Sequence, residues 1–159
     1  MASTSAGGIA FAIPIVVSAA LLVAPAPTRA DLAPAVNAAS IDISVRGIKS
    51  GAGVIRLAIC PSDAGFPDCN GREVRSASVP IEHGQARIRF ADLPFGTYGI
   101  SAFHDANANG KLDTFLGIPK EGYGFSRNPP FRPRAPHFSE VELTFSGTIA
   151  ETITLRYIL

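Results

Sequence analysis

Short runs of alternating apolar and polar residues, broken by turn-forming residues, constrain this chain more than any other feature. Ile41, Ile43 and Val45 alternate with Asp42, Ser44 and Arg46, and Ile55, Leu57 and Ile59 with Arg56 and Ala58. Ser78–Glu82 is a further short run. Ala86, Ile88 and Phe90 alternate with Gln85, Arg87 and Arg89, which places both arginines on a solvated face. Tyr98, Ile100, Ala102 and His104 share one face. Val141, Leu143 and Phe145 share another, and Ile149, Ile153, Leu155 and Tyr157 close the chain. Period two sends successive side chains to opposite faces of a sheet with one buried side. Ser50-Gly51, His83-Gly84, Leu93-Pro94-Phe95-Gly96 and Ser146-Gly147 punctuate the runs with turns. Beyond residue 30 no stretch keeps a 3.6-residue period, so at most one helical turn is expected. About seven short strands joined by turns predict an all-β fold: a single, mainly antiparallel β-sandwich with one long specialised loop.

The first thirty residues follow another logic. Ile9 to Val23 is an apolar run interrupted only by Pro14 and Ser18. It is short of the roughly 20 apolar residues that span a bilayer. Thr28 and Ala30 then stand at the small-residue positions of a cleavage site. Residues 1–30 therefore read as a signal peptide cleaved after Ala30, and the protein as periplasmic or secreted. No Lys or Arg precedes Ile9, so an uncleaved anchor and a misplaced start codon are the competing readings. Residues 31–39, small and Pro-containing, predict a flexible leader, and residues 40–159 the β-sandwich domain, with no transmembrane segment.

The 159-residue chain carries 14 Lys+Arg against 13 Asp+Glu, and no basic cluster is interleaved with aromatics. That leaves no electrostatic footprint for nucleic acid. Two cysteines, Cys60 and Cys69, enclose Pro61, Gly65 and Pro67. An even count in an exported chain favours a disulfide; two free thiols are the alternative.

The densest text is His104 to Ser126. Asp105, Asn107 and Asn109 occupy positions 1, 3 and 5 of a calcium-loop pattern, Gly110 position 6 and Asp113 position 9. Lys111 would add its backbone carbonyl at position 7. Leu116 holds position 12 in place of the bidentate Glu, and Glu121 is the nearest acid downstream. With two or three full charges such a site would be weak, on the order of 10⁻⁴–10⁻³ M. Calcium is the candidate ion. The alternative is a loop of Asx turns, in which the same side chains accept backbone N–H groups and no ion is present.

Leu93-Pro94-x-Gly96-x-Tyr98, then His104-Asp105-x-Asn107-x-Asn109-Gly110-Lys111-Leu112-Asp113, then Gly117 through Ser126, together resemble a bacterial family of exported proteins known as a domain of unknown function, number 2141 of that series. The resemblance covers roughly Ile41 to Tyr157. It implies a small sandwich of immunoglobulin-like or transthyretin-like kind, and it brings no catalytic residues. The chain is more loosely similar to prealbumin-like repeats of bacterial adhesins, where a Leu-x-x-Gly-x-Tyr strand precedes a calcium loop; Asn109 here replaces their usual Asp.

Two functional classes follow. One is a non-catalytic binding or accessory module of the cell envelope, whose partner would be a protein, glycan or lipid. Phe115, Tyr123, Phe125 and Phe131 would form its platform, or else cover the open end of the sandwich. The other is a small hydrolase or isomerase using His104 with Asp105 or Glu121, and Tyr123 nearby. No nucleophile sits in a recognisable setting, and the chain ends Arg156-Tyr157-Ile158-Leu159 rather than in the Tyr-Arg-Gly-Ser of transthyretin-like hydrolases. His83, His104 and His137 share no metal-ligand spacing.

Overall fold

The computed structural model describes residues 38–62 and 64–159. Every described residue belongs to one compact unit. The expected signal peptide, residues 1–30, and most of the expected leader, residues 31–39, lie outside the described residues.

Ten strands, one helical turn and one 3-10 turn are formed among the described residues. In chain order they are β1 (Ala38–Arg46), β2 (Val54–Pro61), a 3-10 turn (Cys69–Gly71), β3 (Arg75–Pro80), β4 (Ala86–Pro94), β5 (Gly96–Asp105), β6 (Thr114–Phe115), β7 (Ile118–Pro119), β8 (Tyr123–Phe125), α1 (Phe138–Val141), β9 (Leu143–Phe145) and β10 (Thr148–Thr154). One sheet has the order β10-β1-β4. The other has the order β3-β2-β5-β8, with β9 also pairing β5, and β6 with β7 forms a separate hairpin.

The alternating runs bury the faces expected of them. Ile41, Ile43, Val45, Phe90 and Ile153 meet Ile55, Leu57, Ile59, Tyr98, Ile100 and Phe145 in one core, with Ile88 and Leu143 packed against its margin. Tyr98 and Phe145 have ring centroids 4.9 Å apart. Ile100 is 0% exposed.

Several connections differ from the simplest reading of the turns. The residues between β4 and β5 do not make a hairpin. β4 belongs to the first sheet and β5 to the second, so the chain crosses the sandwich at Phe95. β1 and β10 pair in parallel, Ser40 opposite Thr148 through Arg46 opposite Thr154, while the remaining pairs are antiparallel. Ala38 and Ala39, within β1, lie opposite Pro94 and Leu93 beyond a register shift.

The outer face of the second sheet is covered by the loop after β2. Cys60 and Cys69 are disulfide-bonded, with Cα atoms 5.3 Å apart. The bond holds Phe66 beside Phe125 and Phe138, at centroid distances of 5.5 and 6.3 Å. Closing so short a loop contributes roughly 2–3 kcal/mol.

Truncating Ile100 tests this core. Ile100→Ala is expected to lower the unfolding free energy by about 2–4 kcal/mol in denaturant titration, the range for emptying a fully buried aliphatic site. A loss below about 1 kcal/mol would show that its surroundings collapse around the cavity.

Candidate functional site

The specialised loop is built on the last two residues of β5, whose side chains leave on opposite faces of the sheet. His104 points inward and is buried. Its Nε2 lies 2.8 Å from the Ala52 carbonyl oxygen and its Nδ1 2.8 Å from the Tyr157 hydroxyl. A carbonyl only accepts, so Nε2 donates to it, and in the neutral ring Nδ1 then accepts from Tyr157. The Tyr157 oxygen in turn accepts the Lys49 N–H at 3.1 Å. Burial pushes the Tyr157 phenol above its ordinary pKa. Both imidazole nitrogens are thereby used in joining the loop end of β5 to the chain terminus and to the β1–β2 connection.

Asp105 points to the other face and is fully buried. Its Oδ2 accepts from Arg56 Nε at 2.5 Å and from the Gly110 N–H at 2.8 Å, and its Oδ1 accepts the Asn109 N–H at 2.9 Å. Burial pushes the carboxyl pKa up, but the Arg56 guanidinium and the two amides outweigh it and hold the group below the usual carboxylate value. The backbone here passes so close to Gly53 that a Cβ on that glycine would lie 2.0 Å from the Asp105 carbonyl oxygen. Gly53 also has φ +71°, a conformation that glycine adopts without strain.

Glu121 closes the loop from its far side. Its Oε1 accepts the Ala106 N–H and its Oε2 the Asp113 N–H, each at 2.9 Å. Between these anchors, Asn107 Oδ1 accepts the Asn109 N–H at 3.1 Å and Asn109 Oδ1 the Lys111 N–H at 2.8 Å. These are Asx turns. The side-chain amides of Asn107 and Asn109 donate to the two Asp113 carboxylate oxygens at 2.9 and 3.1 Å. An ion held by Asp105, Asn107, Asn109, Lys111 and Asp113 would have to replace those two amide bonds. Among the described residues no group of three or more His, Cys, Asp or Glu is placed to hold a metal.

His104 and Asp105 are adjacent in the chain, yet the catalytic candidates are chemically separated. The His104 ring bonds to Tyr157 and Ala52, Asp105 to Arg56 and two amides, and Glu121 to two other amides. Tyr123 packs its ring on Phe125 at 5.7 Å and pairs its backbone with Arg156. Arg56 and Tyr157 do the most to organise this end, and neither was distinguishable from an ordinary strand residue in the sequence. Their partners lie 49 and 53 positions away, and no local pattern encodes so distant a pairing.

The aromatic candidates divide. Tyr123 and Phe125 are half-buried, whereas Phe115 and Phe131 are exposed, together with Leu116 and Ile118 of the β6–β7 hairpin. Ile118, Tyr123, Phe125, Phe131, Leu112 and Ile158 line a hollow of about 390 Å³, with Arg132 and Arg134 beside them.

The profile of a bacterial family described as "uncharacterized protein conserved in bacteria" (DUF2141) matches residues 43–153. The chain belongs to this family. The matched span runs from within β1 to within β10 and contains the whole loop, while Tyr157 lies beyond it. No curated relative and no solved structure matches the chain.

The Asp105 network has a pH signature. Its folded-state pKa lies below the unfolded value of about 3.9, so its stabilisation is in place above about pH 4 and is lost as the pH falls further. Asp105→Asn is expected to cost about 2–4 kcal/mol near neutrality, because Arg56 and two amides lose their charged acceptor. In denaturant titrations the gap to wild type should narrow below about pH 4. An unchanged gap down to pH 2 would contradict this.

Proposed function

We propose that this chain is a non-catalytic binding module of the cell envelope, acting outside the cytoplasm, with its loop end as the binding face. One observation carries the reading. At this end the candidate acid–base groups are turned inward and used by the scaffold, while several large apolar side chains are turned outward. His104, Asp105 and Glu121 are buried and bonded to the chain itself, whereas Phe115, Leu116, Ile118 and Phe131 are exposed. Apolar side chains clustered in the open mark an interaction surface more often than a reaction centre. The Cys60–Cys69 disulfide is consistent with an oxidising compartment, and no helix among the described residues is long and apolar enough to cross a membrane. Acid–base catalysis at His104 is the competing reading. It needs a ring nitrogen within reach of a substrate, and both nitrogens are engaged.

Capture from a cell-envelope extract tests the proposal. Wild type should retain a component that the double variant Ile118→Ser, Phe131→Ser loses, while the two proteins unfold at similar midpoints because both residues are exposed. Equal retention by the two proteins, or none by either, would count against a binding face at this end.

Calcium binding by the same loop is a separate reading, supported by its pattern of oxygens at Asp105, Asn107, Asn109 and Asp113. Thermal unfolding in millimolar calcium against chelator separates an ion from the Asx turns alone. The expected outcome is an unchanged midpoint, since the side-chain oxygens already accept hydrogen bonds from the chain. A stabilisation of about 1.4 kcal/mol at ten times Kd would establish the ion instead.

A further inference from the structure

The tip of the β6–β7 hairpin carries a residue that its own backbone disfavours. Phe115 lies opposite Ile118, and the two residues between them, Leu116 and Gly117, both have positive φ, at +50° and +80°. Two-residue hairpin turns of this kind favour Asn, Asp or Gly at both central positions. A leucine is strained there, because its Cβ crowds the neighbouring carbonyl. Nor does its side chain repay the strain by packing: Leu116 is 88% exposed and Phe115 61%. A large apolar side chain that is both strained and bare contributes nothing to folding, and departures of this sort from local preference gather at functional positions.

The surroundings indicate what covers it. Phe131, 55% exposed, and Ile118 line the hollow beside the hairpin. Lys111 and Lys120 flank the hairpin in the chain, and both are exposed. Lys120 is held next to it by its N–H bond to the Asp113 carbonyl at 2.9 Å. Arg132 and Arg134 share the single carboxylate of Glu140, at 3.2 and 2.9 Å, which leaves that cluster one positive charge in excess. Glu121 and Asp113, the nearest acids, direct their oxygens into the loop's own amides. The result is a projecting apolar tip among exposed cations, with one positive charge in excess when Lys111, Lys120, Arg132 and Arg134 are set against Glu140, Asp113 and Glu121. A protein partner would need a socket shaped to this tip. A bilayer needs none: its acyl boundary accepts Leu, Phe and Ile, and anionic headgroups attract the lysines and arginines around them.

We propose that the β6–β7 hairpin inserts Phe115 and Leu116 into an anionic lipid surface, with Ile118 and Phe131 at the headgroup boundary and Lys111, Lys120, Arg132 and Arg134 over the phosphates. The proposal rests on the binding-module reading and names its partner.

The chain contains no tryptophan, so a single introduced one reports its own environment. In Leu116→Trp, emission should shift to the blue on adding phosphatidylglycerol vesicles and be quenched by brominated phosphatidylglycerol. The shift should be weaker on phosphatidylcholine vesicles and in high salt. Phe95→Trp, between β4 and β5 at the far end of the sandwich, should show neither change, which separates insertion of the tip from attachment elsewhere in the chain. Leu116→Asn suits the turn, so it should fold at least as stably as wild type. In the Phe95→Trp background it should reduce co-flotation with anionic vesicles at least tenfold. A Leu116→Trp spectrum unmoved by saturating anionic vesicles overturns the proposal, as does undiminished flotation of the Leu116→Asn protein. If that happens while Ile118→Ser, Phe131→Ser still abolishes capture from envelope extract, the binding face stands with a protein or glycan as its partner. If both experiments fail, both readings fall.

Discussion

A buried carboxylate at the end of a strand organises one end of this sandwich. Asp105 is shielded from water, and an isolated carboxylate in that position would be costly. It is tolerated because Arg56 comes from the neighbouring strand and two backbone amides come from the loop it begins. The same bonds that neutralise the charge fold the chain back over it. Glu121 repeats the device from the other side, bridging the N–H groups of Ala106 and Asp113. Two carboxylates thus define the loop from within, and the segment between them needs no apolar core of its own.

The pairing of His104 with Tyr157 and Ala52 has a similar structural meaning. A histidine beside an aspartate and near a glutamate suggests acid–base chemistry when the chain is read as text. In three dimensions the alternation of β5 sends His104 and Asp105 to opposite faces, and each finds a different partner. Adjacency in sequence is here the reason that the groups do not cooperate.

Much of the sandwich was legible because period-two alternation depends directly on which face is buried: Ile41, Ile55, Ile100 and Ile153 announce their orientation one residue at a time. Strand direction and sheet membership leave no such trace. The parallel pairing of β1 with β10 and the crossing of the sandwich at Phe95 follow from long-range packing. β8 was hidden in the loop because three residues, one of them glycine, are too few to show a period. At the candidate site, the oxygen-bearing side chains were evident from their spacing. The exposed Leu116 and Ile118 were not, since an apolar residue in a loop reads equally well as buried or bare.

The direction of β1 has a consequence for how the domain can be held. Ala38 in β1 lies opposite Pro94 at the start of the β4–β5 crossing, whereas Asp105 ends β5 at the opposite end of the sandwich. At about 3.3 Å per residue, the length of β5 separates the two by about 30 Å. A pull applied at Ala38 and one applied at the Asp105 loop therefore act on the sandwich about a strand's length apart.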